Sequence, residues 1–417
     1  MSVALNKTKP HLIKNKAFLC AIVMAIIALT KGKCLTAIEL DPKLFPTPSV
    51  VEKQIQFWEK IFYNYPTHTT VIHDTKRPGH IIDIIDFKLW ANQNSRKNLP
   101  AKRLRDRITR SYLNRYRLAI KRFRRLGKTA LKFGAIERRI FSVYNRTKSG
   151  LYLLYRGEVD IRSQAGLANE FIVAANRAQK YLPFMEKTFK DEGIPPIITR
   201  LAFVESMFNL KARSRVGASG IWQFMPQTAK KYMRINRLVD ERNSPFKATR
   251  GAAKLMARNH QVLKAWPLAI TAYNHGQGGM KRAIKQVGSR DLGRIIDRYH
   301  SKSFRYASKN FYAEFRAAVN TYNRLLNENK VDTKQKSLSL TSLTLKKPLS
   351  IAQILKKTPL KKNILAEFNR GLRASSFTRY RHHKLPKYFE LFLPKSFAQK
   401  FQIHLASISE KRYAKNK

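Results

Sequence analysis

The segment from Pro195 to Ser206 has apolar residues at helical spacing, and Glu205 occupies a position on its apolar face. Its helical neighbours on that face are Ile198, Leu201, Ala202 and Phe208. A carboxyl among them is directed to the core, where burial raises its pKa by disfavouring the ionised form. A carboxyl that keeps its proton at neutral pH can act as a general acid. Glu205 is therefore a candidate catalytic residue, the alternative being a glutamate on a solvated face.

Helical patterns of this kind cover most of the chain, which predicts a mainly α protein. The expected helices span residues 48–64, 81–90, 99–133, 162–190, 249–263, 267–273 and 304–326, with one more that starts at the Pro195-Pro196 pair. Gly193 is suited to end the helix before that pair, and proline is tolerated best at a helix start. The short alternation at residues 70–74 is compatible with an isolated strand or a loop.

The first 37 residues have the organisation of a secretory signal. Lysines precede an apolar run of 13 residues, 17–29, and small residues follow near Ala37. A membrane-spanning helix needs about 20 residues, so we expect cleavage near Ala37; an uncleaved signal would associate the protein with the membrane. The two cysteines, Cys20 and Cys34, both lie in this segment, and Cys34 lacks the apolar and small residues that a lipid-anchor site requires before it.

Cofactor chemistry is not indicated by the sequence. The mature chain would have no cysteine for a disulfide or a thiolate metal site, and the ten histidines are not clustered at ligand spacing. We therefore expect no cofactor and no metal.

The formal net charge of +57 indicates an anionic partner or environment. Nucleic acid, anionic lipid and acidic cell-wall polymers all qualify. The arginine-rich stretch at 99–133, with interleaved tyrosines, is one pattern of a nucleic-acid binder. In an exported protein a solvated basic face is the preferred interpretation, so we expect anionic cell-envelope polymers and no nucleic acid as partners. The oligomeric state is not indicated.

A second catalytic carboxyl is not evident near Glu205. Between Pro195 and Ser289 the other acids are Asp240 and Glu241, whereas the standard routes of glycoside hydrolysis need two carboxyls across the scissile bond. Asp240 precedes Asn243-Ser244-Pro245 and is explained more simply as part of a helix approach and cap, with a catalytic role as the lesser alternative. If Glu205 works alone, it must act as acid and then as base, and the nucleophile must come from the substrate.

Two further segments could bind a sugar. Residues 217–226 contain glycines, Trp222, Gln223 and Phe224, and residues 272–276 carry Tyr273 and Asn274 at the end of an apolar helix. Aromatic rings and amides together commonly hold sugar rings. A tight turn with core aromatics explains residues 217–226 equally well.

In this order, Glu205-Ser206, Gly220-Ile221-Trp222-Gln223 and Ala272-Tyr273-Asn274 with Gly276 and Gly278 resemble the three motifs of the lytic transglycosylases of glycoside hydrolase family 23. The Ile-Trp pair departs from the family's usual second motif. Two more segments, Tyr181-Leu182-Pro183 and residues 308–315, extend the resemblance to roughly residues 167–323.

The resemblance implies a lysozyme-like catalytic domain that cleaves the β-1,4 bond between N-acetylmuramic acid and N-acetylglucosamine. In the family one glutamate, here Glu205, protonates the glycosidic oxygen and then deprotonates the muramoyl C6 hydroxyl, which closes a 1,6-anhydro ring without consuming water. It also implies that Ser206, Gln223, Tyr273 and Asn274 bind the substrate, and that Tyr273 hydrogen-bonds near Glu205. The partner would be peptidoglycan glycan strands in the periplasm or cell envelope. A lysozyme-type hydrolase and a non-catalytic wall-binding scaffold remain as alternatives.

The expected domain order follows from these patterns. It comprises a signal peptide at residues 1–37, an N-terminal helical basic region at 38–160, a lysozyme-like lytic transglycosylase domain at 161–329, a linker at 330–347 and a basic tail at 348–417. The tail resembles a degenerate LysM peptidoglycan-binding repeat that lacks the usual Gly-Asp-Thr-Leu segment. A plain basic tail is the alternative.

Overall fold

Helices form most of the secondary structure in the computed structural model, which describes residues 38–94, 98–334 and 338–397. The prediction of a mainly α fold is therefore confirmed. The expected signal peptide and both cysteines lie outside the described residues. Among the helices within the described ranges, none is long and apolar enough to cross a membrane.

The N-terminal part of the described chain combines helices with a three-stranded sheet. Its elements are α1 (Ser49–Glu59), a π-helical continuation (Lys60–Asn64), β1 (Thr69–Asp74), β2 (Ile81–Asp86), α2 (Phe87–Gln93), α3 (Lys102–Leu126), a 3-10 stretch (Gly127–Phe133), α4 (Ala135–Tyr144), α5 (Lys148–Arg156) and β3 (Ile161–Ala165). The sheet order is β2-β1-β3 with both pairs antiparallel. Helices α3, α4 and α5 and all three strands contribute to one apolar cluster.

Two segments that were expected to be helical are strands. Residues 81–86 form β2, and residues 161–165 form β3 before the chain enters its next helix. A short apolar run can satisfy either period, so tertiary pairing decides, and β1 provides hydrogen-bonding partners on both edges. The strand at residues 70–74, expected to be isolated or a loop, is the central strand of this sheet.

The next part of the chain is helical. Its elements are α6 (Ala168–Ala178), α7 (Leu182–Asp191), a 3-10 turn (Pro196–Arg200), α8 (Leu201–Ser206), α9 (Pro226–Ala229), a second 3-10 turn (Glu241–Asn243), α10 (Pro245–Leu263), α11 (Trp266–His275), α12 (Gln277–Val287), α13 (Leu292–Arg298) and α14 (Tyr306–Asn327). The single helix expected over 162–190 is thus β3, α6 and α7. Gly193, with φ +71°, lies just past α7, and Pro196 begins the following turn, as the sequence predicts.

Helix α14 is the centre of the helical part that follows β3. Most of its residues are buried, and α1, α8 and α11 pack on it. Trp58 on α1 donates a hydrogen bond from Nε1 to Oδ1 of Asn310 on α14, at 3.2 Å. The segment expected to form a separate N-terminal region therefore contributes to the same packing as the helices that carry the site.

The C-terminal part forms a small unit of strands and helices. Its elements are β4 (Leu340–Thr344), β5 (Leu349–Ser350), α15 (Ile351–Lys357), α16 (Lys362–Phe368), a 3-10 turn (Ala374–Phe377), β6 (Lys384–Leu385) and β7 (Glu390–Pro394). Strand β4 pairs antiparallel with β7, and β5 pairs with β6. The span expected to be a linker, 330–347, thus contains a paired strand. Val239, from the turn before α10, is buried in the core of this unit.

Candidate active site

Glu205 lies in the last turn of the short helix α8. The preceding residues Leu201, Ala202 and Phe203 are fully buried and fix this helix in the core. Directly after Ser206 the chain turns sharply, with Met207 and Phe208 both at positive φ, 50° and 53°. Two consecutive non-glycine residues in this region are uncommon and are held there by the surrounding packing. The sharp turn places Glu205 at the very end of its helix.

Glu205 as a residue is partly buried, and its carboxyl group is desolvated by the surrounding protein. Burial raises its pKa to about 8, and the charge of Glu314 acts in the same direction. Across the described ranges no group donates a hydrogen bond to this carboxyl that would offset its desolvation. Glu205 is therefore mostly protonated at neutral pH, in agreement with the sequence argument for a buried acid.

Glu314, on α14, is a second buried carboxyl that the sequence analysis did not select. Burial raises its pKa to about 8, while the positive charge of Arg162 opposes this shift. Glu314 lies beyond Ser289, outside the segment from Pro195 in which the candidate catalytic acids were found. The signal was nevertheless present, because its helical neighbours Phe311, Ala317 and Ala318 are apolar and buried.

Arg162 brings the N-terminal sheet to the same site. It lies on β3, and its guanidinium stacks on the ring of Tyr306 at 3.6 Å. Nε of Arg162 and the hydroxyl of Tyr306 are buried, and neither has a hydrogen-bond partner in the described part of the chain. His73 on β1 packs against Tyr306, and burial lowers its pKa to about 4, so it is neutral. The sheet thus places one positive charge close to Glu314.

Tyr273 and Asn274, at the end of α11, border the same region. The Tyr273 hydroxyl donates to the carbonyl of Trp222 at 2.8 Å. Burial raises the pKa of Tyr273 well above its ordinary value and the charge of Glu205 adds to this, so the phenol stays protonated. Asn274 accepts a hydrogen bond from Ser308 at 2.8 Å, which leaves its amide group available as a donor. Because the charge of Glu205 acts on the Tyr273 phenol, the two side chains are close to each other, while the hydrogen bond of the phenol goes to Trp222.

Ser206 and Gln223 are joined to the loop that contains the second motif. The Ser206 hydroxyl donates to the carbonyl of Ile221 at 2.8 Å. Gln223 has φ 46°, and its Nε2 donates to the carbonyls of Gly220 at 2.8 Å and Ala212 at 3.2 Å. Its side-chain oxygen remains an acceptor. These contacts hold the loop that carries Gln223 against the end of α8, next to Glu205 in the chain.

Gly220 is required by this packing. Its φ is +79°, and a Cβ at this position would collide with the carbonyl oxygen of Arg242. The aromatics of the loop have no exposed face. Trp222 is fully buried and donates to Thr249 at 2.9 Å, and Phe224 is also buried. Of the two interpretations of residues 217–226, the structure supports a tight turn with core aromatics, and any sugar contact must come from the amides.

Asp240 and Glu241 are fully used in structural contacts. Arg242 forms two hydrogen bonds to Asp240, at 2.9 and 2.8 Å. Burial acts to raise the pKa of Asp240, but Arg242 and Arg373 outweigh it and lower that pKa. Glu241 pairs with Lys247 at 2.7 Å. The cap itself is Ser244, which accepts from the Lys247 amide ahead of α10. Nowhere in the described ranges do three or more His, Cys, Asp or Glu residues form a group that could hold a metal.

These features define a helical part of the chain with a buried acid, Glu205, at the end of a short helix. Residues 183–295 match the family model of the transglycosylase SLT domain. The chain therefore carries an SLT domain, and the resemblance to lytic transglycosylases is confirmed for this segment.

Similar proteins include lytic transglycosylases. The membrane-bound lytic murein transglycosylase D of Escherichia coli strain K12 is 27% identical over 238 residues, which is 55% of this chain and 50% of that protein. A putative tributyltin chloride resistance protein of Alteromonas sp. strain M-1 is 33% identical over 113 residues, 27% of this chain and 55% of that protein. The chain thus spans about half the length of these relatives.

A comparison with solved structures matches an inactive mutant of the lytic transglycosylase Slt from Pseudomonas aeruginosa. It is 19% identical and covers 68% of this chain and 45% of that chain, with a TM-score of 0.29. A TM-score this low adds nothing to the assignment.

Proposed function

We propose that this protein is an exported peptidoglycan lytic transglycosylase that cleaves the β-1,4 bond between N-acetylmuramic acid and N-acetylglucosamine. The observation that carries the proposal is Glu205, a buried carboxyl with a pKa of about 8 at the end of α8 in the SLT domain. The relatives named as murein transglycosylases support the substrate class. The apolar segment at residues 17–29 and the high net charge support a location in the periplasm or cell envelope.

The proposed chemistry uses one carboxyl twice. Protonated Glu205 donates its proton to the glycosidic oxygen, and the bond from that oxygen to the muramoyl C1 breaks. The carboxylate that remains takes the proton of the muramoyl C6 hydroxyl as O6 bonds to C1. This closes the 1,6-anhydro ring and returns Glu205 to its protonated state, so no water enters the products.

The surrounding polar groups suit binding and orientation. Tyr273, protonated throughout the working pH range, anchors the loop at Trp222 and adds a neutral dipole beside the acid. We assign the free amide hydrogens of Asn274 and the free oxygen of Gln223 to the N-acetyl and hydroxyl groups of the sugars. Ser206 fixes the loop relative to α8 and borders the sugar.

A lysozyme-type hydrolase is the second candidate, because Glu314 provides a second buried carboxyl. In that reaction Glu314 would have to be ionised to activate a water molecule or attack C1. With a pKa of about 8 it is mostly protonated at neutral pH and therefore a weak base. The pKa of Glu205 suits an acid, whereas the pKa of Glu314 does not suit a base, and this favours the transglycosylase.

Replacement of the acid tests the function. Glu205→Gln keeps the shape but removes the transferable proton, so turnover of purified murein should fall at least ~100-fold while murein binding persists. Glu192→Gln, an exposed carboxyl on the same domain, is the matched control and should leave turnover unchanged. Full activity of Glu205→Gln would remove this residue from the mechanism. A wild-type protein that binds murein without cleaving it would indicate a scaffold.

A further inference from the structure

A cavity of about 700 Å³ lies between the catalytic part and the C-terminal unit. One wall is formed by residues 210–213 and Asn243, and the other by residues 362–378. The volume is in the range of small-molecule and peptide sites, about 300–1,000 Å³. The cavity is distinct from the candidate site at Glu205, since none of Glu205, Tyr273 and Asn274 lines it.

The walls of this cavity are strongly basic. Five cationic side chains line it and no acidic one does: Lys211, Arg213, Lys362, Arg370 and Arg373. Arg373 lies 3.6 Å from the Asp240 carboxylate, and the other four form no ion pair with a described residue. Like charges collected around a concave surface repel one another and attract anions. Such a cavity is suited to an anionic ligand.

The cavity wall is coupled directly to the second motif. Ala212, between Lys211 and Arg213, accepts hydrogen bonds from the Gly220 amide at 3.0 Å and from the Gln223 side chain at 3.2 Å. Asn243, which lines the cavity, is bonded to Ser219 at 2.8 Å. One side of the residue 210–223 segment therefore faces the basic cavity, while its Gln223 belongs to the glycan site. A ligand attached to the glycan could reach both.

The second wall is rigidly attached. The Asp240 amide donates to the carbonyl of Gly371 at 2.7 Å, and the Arg373 amide donates to the carbonyl of Leu238 at 3.0 Å. Val239 and Leu372 are buried together in the core of the C-terminal unit. Backbone hydrogen bonds and a shared core thus fix the backbone of this wall before a ligand arrives, and the Arg373 guanidinium is held by the carbonyl of Asn236 at 2.8 Å.

We propose that this cavity binds the free carboxylates of the peptide chains carried by peptidoglycan, so that the C-terminal unit forms a substrate-recognition wall. The inference rests on the proposed function. The amide-substituted sugar chain of that polymer is neutral, and its anionic groups are the carboxylates of the peptides attached to muramic acid. Arginine guanidinium groups match carboxylates in a two-pronged geometry. A peptide attached beside the scissile bond would then help to place the sugar at Glu205.

The test compares two substrates and two double variants. Lys211→Gln/Arg370→Gln removes two cavity charges, and Lys132→Gln/Arg138→Gln removes two exposed charges of the N-terminal part as the matched control. The substrates are peptide-bearing murein and glycan strands from which an amidase has removed the peptides. We expect the cavity variant to lose at least about tenfold in kcat/KM on the peptide-bearing substrate and nothing on bare strands. The control variant should match the wild type on both, and equal unfolding midpoints would show that all three proteins are folded.

Two further arms identify the source of the anion. In the first, the wild type acts on murein whose carboxyls have been converted to methylamides. We expect this cleavage to be as slow as the cleavage of native murein by the cavity variant. An equal loss on both substrates, or no loss on either, would overturn the proposal, as would retention of full activity on the methylamide substrate. Competition by a soluble phosphodiester polymer but not by free stem peptide would also overturn it. Absence of cleavage by the wild type on every substrate would instead refute the proposed function.

Discussion

Replacing the catalytic acid should stabilise the protein while inactivating it. Glu205 has an ordinary pKa of 4.5, which burial in the native state raises to about 8. The native state therefore binds more protons than the unfolded state between these values, and its stability falls as the pH rises through this window. Glu205→Gln removes the ionisation without changing the size of the side chain, so it should remove this loss of stability.

The magnitude follows from the pKa difference. At about pH 7 the carboxyl is ionised in the unfolded state and mostly protonated in the native state. This pH lies roughly 2.5 units above the ordinary pKa, and at about 1.4 kcal/mol per unit the loss of stability of the wild type is at most about 3.4 kcal/mol. Relaxation and solvent access reduce this to about 1–3 kcal/mol. At about pH 5 the difference from the ordinary pKa is only roughly 0.5 unit, so the loss of stability is less than about 1 kcal/mol.

Urea unfolding at the two pH values measures the effect. The free energy of unfolding of Glu205→Gln should exceed that of the wild type near about pH 7, and the excess should shrink near about pH 5. Glu192→Gln, on the surface of the same domain, is the control and should show no such pH-dependent gain. A Glu205→Gln protein equal to or less stable than the wild type at both pH values would refute the argument that this carboxyl is desolvated.

Three further predictions concern the neighbouring carboxyl, the tail and the charge. Glu314→Gln removes a carboxyl with a pKa of about 8 whose ionised form opposes the ionisation of Glu205, so the pKa of Glu205 should fall and the alkaline limb of the kcat/KM profile should move to lower pH; a ~100-fold loss at every pH would instead make Glu314 a catalytic residue. Deletion of residues 347–417 should reduce retention on insoluble murein and lower the unfolding midpoint, because it uncovers Val239; an unchanged midpoint would contradict the packing. Sedimentation of the protein with murein should weaken as the salt concentration rises, since the electrostatic screening length falls to roughly 3 Å at about 1 M salt. Binding that does not depend on salt would exclude the net charge as the cause of this sedimentation.

The helices with strong apolar periodicity could be predicted from the sequence. Residues 249–263 and 267–273 lie within α10 and α11, and the expected helix at 304–326 lies within α14 except for its first two residues. The same periodicity identified Glu205 as a buried acid. In each of these elements the pattern that determines burial is local to the helix, so the sequence alone contains the information.

The sheet could not be predicted in this way because its pairing is not local. Strand β3 pairs with β1, at the opposite end of the N-terminal part, and residues 161–165 carry no period that distinguishes them from the helix that follows. Arg162 is on this strand, so its position near Glu314 was equally hidden. Glu314 has apolar helical neighbours that mark it as buried, but it lies outside residues 195–289, the segment in which Asp240 and Glu241 were the alternatives for a second carboxyl.

The C-terminal unit shows a third limit. Its composition indicates a change after α14, but hydrophobic pattern alone does not show which surface a small unit packs on. The contact depends on Val239, an apolar residue in the turn before α10, and on backbone hydrogen bonds from Asp240 to Gly371. Those bonds also create the basic cavity, which residues far apart in sequence line together.

Digestion of purified murein in ¹⁸O-labelled water tests the central claim most directly, namely that Glu205 acts as acid and then as base with the substrate's own hydroxyl as nucleophile. Mass spectrometry of the products should show 1,6-anhydromuramoyl ends, each about one water lighter than a reducing end, with no ¹⁸O at the muramoyl C1. Glu205→Gln should form neither kind of end. Reducing muramic acid ends labelled with ¹⁸O as the only wild-type product would contradict the account and identify a hydrolase.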